Sequence, residues 1–596
     1  MQQVSDKWKH QHTKQLVNES FVEISIDVAD PDSIADASAV DNGSVYISDT
    51  PDIVSEVGKT IIDHATLEEN MWVLDGSRNI LSPEAWGDNG YVGSVISNQD
   101  GTFDSNPIVT IEFSKVHENI IPGITITWGV AYNEYAEVFK VTAYNGSTEV
   151  ASTQIIDNTD MKSVVSLDIV NYDRITIEIL KWCLPYHRPR ISEVFVGINK
   201  VYTKKDITAY THEQEVSPIG ATTPTLKIGF SLDNTDGKFD PYNVTGLSKY
   251  LMERQEIRVK YGLKLGSSTT EYIPAARVYL SEWDAPQNGL QASFVARDLL
   301  EFMNRTYFKG LYNKSGVSLY DLAIDVLTEA NLPLNEDGTV KWIIDDSLKS
   351  IYTTSPLPLA TLGVCLQYIT QAARCILYCD RQGILHIEPI SHEVSDYALT
   401  EFNLYSRPEI TLQKPLASVN TKVYNHFVEG DSTNLFSGNV LVNGTEEVVV
   451  TYANDAVNVS AAVTNGSLVS AKYYTHACVL TISGNGTVGI SVTGNPLTSS
   501  TSDYTVSIGT EGEVQEVDNP LISTSEIAKA VSEWVKNYLQ NRQLVTVGGW
   551  RSDPRLDATD IITSENKYGT EQVRVTNVHY TYNGAFHGTL EGVKEG

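Results

Sequence analysis

Between residues 221 and 263 the chain alternates apolar and polar side chains, and this alternation restricts the fold more than any other feature. Leu226, Ile228 and Phe230 alternate with Lys227, Gly229 and Ser231, the period of a half-buried strand. The run Asp233-Asn234-Thr235-Asp236-Gly237 follows. Short acids and amides there can bond their own backbone and Gly237 can take a positive φ, so the run predicts a turn. A second strand, Glu256-Ile257-Arg258-Val259-Lys260-Tyr261, closes the unit.

The words SLDNTDGKFDPYN and ERQEIRVKYG in this stretch resemble the baseplate hub, or tail-tip, proteins of bacteriophages that infect Gram-positive bacteria, and of related prophages and phage-tail-like particles. In that family a strand ending Leu-Asp-Asn-x-Asp-Gly-x-Phe is followed closely by a Gln-x-Ile-x-Val-x-Tyr strand. The resemblance covers the N-terminal strand, 200–430 and 520–596, and leaves 431–520 unexplained. It implies a virion tail-tip or baseplate protein made in the host cytoplasm and assembled as a homotrimer. Its implied partners are the distal tail or tail tube and spike or fibre proteins. It implies no catalysis and no cofactor.

At 596 residues the chain is too long for one core, and about four or five domains are expected. Its 43 basic and 75 acidic residues give a net charge of −32, which would repel nucleic acid and anionic membrane alike. Tyrosine (31) far exceeds phenylalanine (14), a balance suited to β-rich surfaces. The N-terminus lacks the apolar core of a signal peptide. The most apolar run, Leu357 to Cys379, is broken by Gln367, Thr370, Gln371 and Arg374, so no membrane span is expected. The five cysteines, Cys183, Cys365, Cys375, Cys379 and Cys478, are scattered and lack a second pair for zinc; they read as buried thiols in a reducing compartment.

The predicted fold class is multidomain and mainly β, with α+β hub domains, an inserted jelly-roll β-sandwich and a second inserted small β domain. The expected domains are 1–65 (N-terminal arm and first hub strands), 66–199 (inserted sandwich), 200–305 (hub β domain), 306–430 (hub α+β domain), 431–520 (second insert) and 521–596 (C-terminal hub helix and β domain). Residues 1–20 read as a solvated polar arm with one short helix. Residues 29–60 read as an acidic connecting segment with short strands. Ser318 is the expected cap of a helix stopped by Asn331 and Pro333, and a second helix runs from about Ala360 to Arg374. CILYCD and ILHIEPI pair across Arg381-Gln382-Gly383. Ser523-Thr524-Ser525-Glu526 reads as a capping box for a helix whose face is Ile527, Ala530, Val531, Trp534, Val535 and Tyr538.

Regularly spaced short strands in 66–197 predict a β-sandwich. Trp72-Val73-Leu74-Asp75-Gly76 at its start, with Pro185, Arg188, Arg190, Ile191, Glu193 and Val194 at its end, resembles the opening and closing words of discoidin-like, galactose-binding jelly rolls. By that resemblance the domain contacts host cell-wall glycan through loop aromatics and planar donors. The candidates are Trp86, Tyr91, Tyr132, Tyr135, Trp182, Tyr186, His187, Arg188 and Arg190. The competing reading, which we favour because fold does not carry function, makes Trp72 and Trp182 core residues and pairs Arg188 and Arg190 with nearby acids. A lone Asp75 is weak ground for a calcium site, and the Asp233–Gly237 run lacks the spacing of a calcium loop, so no metal site is expected.

No G-x-S-x-G, H-E-x-x-H or phosphate-loop motif occurs. A structural tail component, not an enzyme, is therefore expected. The alternative is a carbohydrate-active, cell-wall-degrading tail enzyme with the jelly roll as accessory module, since a pair of acids can be recognised only by distance in space.

Overall fold

A computed structural model describes residues 1–595 except 15–16, 46, 56–63, 76–88, 245, 267–268, 287–288, 336–338 and 541–542. The molecule is mainly β and built from several sheets, as the alternation predicts.

The largest sheet has thirteen strands among the described residues. Strand Ser20–Ala29 lies between Gly197–Tyr202 and Glu256–Lys264. The sheet continues through Thr270–Asp284, Gln291–Arg297, Thr225–Asp233 and Ile207–Glu215. Ile207–Glu215 then pairs with Gly569–Tyr582, Tyr210 opposite Tyr582, so strands from the two ends of the chain share one sheet. Phe586–Glu595, Gln543–Trp550 and Glu409–Leu412 complete this path. The opening turn forms as predicted: Asp233 Oδ1 accepts from Thr235 N at 3.1 Å, Asn234 Oδ1 from Phe239 N at 2.8 Å, and Gly237 has φ +68°.

Ala29 and Gly197 are direct partners across two antiparallel strands, so the intervening chain leaves and rejoins the sheet at neighbouring points. That chain is a two-sheet β-sandwich. One sheet holds Tyr91–Val92, Arg190–Phe195, Ile121–Trp128 and Lys162–Ile169. The facing sheet holds Ser38–Asp41, Ile108–His117, Tyr172–Trp182, Ala136–Asn145 and Thr148–Ile155. The indole of Trp128 lies edge-on to both Phe139 (4.9 Å) and Trp182 (6.1 Å) in the core. Ala39 and Ile53, from the segment read as a connection, are buried in this same core.

Helices Leu319–Ala330 and Leu362–Ala373 pack on the same core as the largest sheet, beside a small sheet of Trp342–Ile344, Leu385–Glu388 and Ile376–Cys379. Ser318 caps the first helix, accepting from Asp321 N at 3.0 Å, and Asn331 ends it in the left-handed region (φ +49°), as predicted. Cys365, Cys375, Cys379 and Cys478 are buried and Cys183 half-buried; burial pushes the thiols of Cys365 and Cys375 up to about 12.

The 31-residue strand Ala477–Ser507 runs through two environments. Its first part pairs with Thr433–Thr451 on one edge and with Ala456–Thr464 and Ser467–Tyr473 on the other. Its last part pairs with Leu416–Val428, which also takes Glu513–Val517. Ala453 N bonds Leu435 O at 3.1 Å, so the strand Thr433–Thr451 curls until its two ends meet around a separate apolar core.

Three local expectations are corrected. The N-terminal arm is docked, not solvated: Trp8 of helix Asp6–His12 is buried in the core of the largest sheet, and Gln2 Nε2 donates to Asp557 at 2.9 Å. One apolar indole outweighs the polar character of its neighbours. The helix Ser525–Leu539 is capped by Thr524, which accepts from Ile527 N at 3.2 Å; Ser523 instead accepts from Thr354 N at 3.0 Å. Trp72 is 50% exposed and is not a core residue.

Candidate functional site

The residues singled out in the sandwich come from three of its connections, and the structure brings most of them to one end. Glu134 follows the turn Val130–Tyr132 and is fully buried. Its Oε2 accepts from Trp182 Nε1 at 2.7 Å, and its Oε1 lies 2.8 Å from His187 Nδ1. Arg190 NH1 stands 3.5 Å from the same carboxylate. Arg190 NH2 donates to Glu68 Oε1 at 2.5 Å, and its guanidinium lies 4.2 Å over the Tyr132 ring. The Tyr132 hydroxyl accepts from His64 N at 2.9 Å. Arg188 donates its backbone N–H to Glu68 Oε2 at 3.0 Å and its side chain to the carbonyls of Gly93 and Ser94.

Burial alone would raise the Glu68 carboxyl, but the hydrogen bond and charge of Arg190 hold it below the usual carboxylate range. The same pairing raises Arg190 further, against a burial effect that would lower it. Two carboxylates and one guanidinium thus form a closed set of charge-assisted bonds. It ties the 64–72 segment to the 93–97 and 182–190 loops.

Tyr91 and Trp182 are buried in the sandwich core, and burial pushes the Tyr91 hydroxyl up. Tyr135 is half-buried against it. Arg190 and His187 are buried in the ion network; of the two arginines expected to pair with acids, Arg190 meets Glu68 at 2.5 Å and Arg188 Nε lies 3.9 Å from the same carboxylate. Tyr186 stands out at 46% exposed, with φ +59°, next to the partly exposed Arg188. Trp86 lies outside the described residues.

A second buried polar cluster, at the junction of the N- and C-terminal strands, was not found from sequence. Arg381, read only as a turn residue, is buried. It donates to Asp557 Oδ1 at 2.6 Å, to Pro554 O at 2.8 Å and to Leu556 O at 2.8 Å. Tyr261 OH bonds Tyr210 OH at 2.8 Å and His212 Nδ1 at 2.7 Å. Burial, then the nearby Arg381 charge, lowers His212 to about 3. The partners lie between 49 and 176 residues apart, so only the alternation of Tyr210, His212 and Gln214 on one strand face could have hinted at it. Beside Arg381 lies a cavity of about 510 Å³ lined by acids including Asp380, Glu393, Asp396, Asp557 and Asp560. Among the described residues no group of three or more His, Cys, Asp or Glu is arranged to hold a metal ion. Nor, among them, is any helix long and apolar enough to cross a membrane.

No family model and no curated protein matches the chain. Among solved structures, the 43 kDa tail protein of prophage MuSo2 from Shewanella oneidensis is 11% identical. That likeness covers 66% of this chain and 95% of that one, at a TM-score of 0.37. A tail protein from Neisseria meningitidis MC58 is 8% identical over 67% and 94%, with a TM-score of 0.37. The prophage tail protein gp18 from Listeria monocytogenes EGD-e is 9% identical over 66% and 91%, with a TM-score of 0.35.

Proposed function

We propose that this chain is a structural component of a phage, or phage-tail-like, tail tip: a hub that joins the tail tube to a spike or fibres and acts by assembly. The observation that carries the reading is an unfinished sheet edge. Strand Glu409–Leu412 ends the path of the largest sheet, pairs on one side with Gln543–Trp550, and is exposed at all four residues. Ile410 is 48% and Leu412 72% exposed, with Phe402 and Tyr405 exposed nearby. Unpaired backbone flanked by open apolar side chains is a template for a neighbouring chain. The sequence resemblance supports the same reading. Its residues are spent on structure: Asn234 holds the turn, and Gln255 Nε2 donates to the carbonyls of Ala29 (2.9 Å) and Tyr250 (2.7 Å).

Glycan contact by the sandwich rests on Tyr186, the most exposed of the described candidates, and on the partly exposed Arg188 near it. Three such weak sites on one rigid trimer would gain avidity, roughly 10²–10⁴-fold if the ligands can be reached together. Light scattering on the purified protein, with and without cell-wall polysaccharide, tests both ideas. A trimer supports the hub, and a further mass shift with polysaccharide supports the receptor role. A monomer at every concentration counts against the hub. Release of reducing sugar from the polysaccharide would replace this reading with the enzymatic one.

A further inference from the structure

The seam between the curled β unit of 433–494 and the α+β unit contains a histidine with no part in either site above. His476 immediately precedes strand Ala477–Ser507 and is only 4% exposed. Its Nδ1 is 2.6 Å from Asp455 Oδ1, and its Nε2 is 2.6 Å from the backbone carbonyl oxygen of Leu357, on the other side of the seam. A carbonyl can only accept, so Nε2 must carry a proton; a carboxylate can only accept, so Nδ1 must carry one too. The imidazolium alone satisfies both. A neutral ring would set a lone pair against one of the two oxygens.

The surroundings fit a seated cation. Thr475 N donates to Lys309 O at 2.9 Å, Tyr312 N donates to Thr475 Oγ1 at 3.1 Å, and Phe308 meets Tyr474 edge-on at 5.8 Å. Gly310 (φ +71°) lies under the ring, where a Cβ would come within 2.8 Å of Nε2, so the close approach requires glycine there. The other titratable groups on the packed elements are few. His426 bonds Ser355 Oγ at 3.0 Å, and burial lowers its pKa while Asp455 opposes this. Lys309 is engaged by Asp325 and Glu329 and stands 5.9 Å from the Tyr474 ring centroid. For His476 itself burial would lower the pKa, but the Asp455 bond and charge and the Leu357 carbonyl raise it above the ordinary value.

We propose that His476 is a proton-operated latch: protonated, it clamps the curled β unit onto the α+β unit at Leu357, and on losing its proton it opens that seam. The unit then stays tethered by the paired segments at 428–433 and 494–497, where Val428 pairs with Leu497, Thr433 pairs with Gly494 and Glu429 N bonds Pro496 O at 2.9 Å. Because the pKa is raised, the clamp is fully present below the ordinary histidine value of 6.5 and is lost as pH rises through the higher, seated value.

Hydrogen exchange on the full chain from pH 6 to 9.5, corrected for the intrinsic rate, tests this. Protection of 308–312 and 474–476 is expected to fall about tenfold for each unit by which the seated pKa exceeds the released one. Protection of the hub strand Thr225–Asp233 is expected to stay constant. Asp455→Asn should move the loss to lower pH, and His476→Gln should leave the seam weakly protected at every pH. Seam protection that does not change with pH, an equal loss in the hub strand, or an Asp455→Asn protein that behaves as wild type would each overturn the latch. Should His476→Gln fail to fold, the wild-type and Asp455→Asn profiles decide it.

Discussion

Arg190 sets its guanidinium charge against two almost fully buried carboxylates, Glu68 at 2.5 Å and Glu134 at 3.5 Å. Removing one partner from such a set leaves charge without compensation. Arg190→Ala is therefore expected to cost about 3–5 kcal/mol, read as a lowered urea midpoint. Glu68 sits below its usual range, so its share of stability is present above the ordinary value of 4.5 and is lost as pH falls through the lower folded value. The wild-type midpoint should drop across that acid window, and Arg190→Ala should flatten the drop. His212 has the opposite history. Its folded value of about 3 lies below the ordinary 6.5, so the unfolded chain takes up a proton that the folded one refuses. Stability should decline from pH 6.5 downward, and His212→Gln should remove part of that slope in midpoints measured between pH 7 and 4. The first of these networks was half legible. Arg188 and Arg190 stand in the closing word that resembles the jelly-roll pattern, but their shared acid partner, Glu68, lies 120 and 122 residues away in sequence and no local signal names it.

At the element scale, features set by neighbouring residues were readable. The helix Leu319–Ala330 has its cap, its apolar face and its stop within a dozen or so consecutive residues. The capping box at Ser523 was misread because the hydroxyl of Ser523 is drawn off by Thr353 and Thr354, about 170 residues away. Thr524→Ala should therefore cost about 1 kcal/mol as a lost cap. Ser523→Ala should leave the isolated helix peptide unchanged in circular dichroism yet lower the thermal midpoint of the whole protein. The edge strand makes the same separation for assembly. Ile410→Lys with Leu412→Lys places charge on an edge that native proteins protect in that way. The double variant should keep the wild-type circular dichroism spectrum and, on the proposed assembly through this edge, run at the monomer mass in light scattering.

For the whole molecule, mainly β character follows from alternation and composition, because both are sums over local pattern, whereas the insertion of the sandwich was implied only by resemblance. Sheet order follows from neither. Nothing in Ile207–Glu215 states that its neighbour will be Gly569–Tyr582, and that pairing makes one continuous sheet of what the sequence presents as separate hub domains. The topology nevertheless allows a strong test of the insertion. Because Ala29 and Gly197 are partners on adjacent antiparallel strands, a short turn can replace the whole sandwich without moving either strand. The loss includes the contacts where the sandwich rests on the large sheet: Lys249 Nζ and Tyr250 OH with Asp168, Thr125 Oγ1 with Gly197 O, and the packing of Ile120 against the large core. Replacing residues 31–195 by a two-residue Asn-Gly turn should leave a remainder that unfolds in a single transition and runs at the same oligomeric state as the full chain. A shortened chain that is unfolded would mean that the sandwich is needed to fold the strand Ser20–Ala29 against its neighbours. A shortened chain that is folded but monomeric, where the full chain is an oligomer, would move the proposed assembly surface from the Glu409–Leu412 edge to the sandwich.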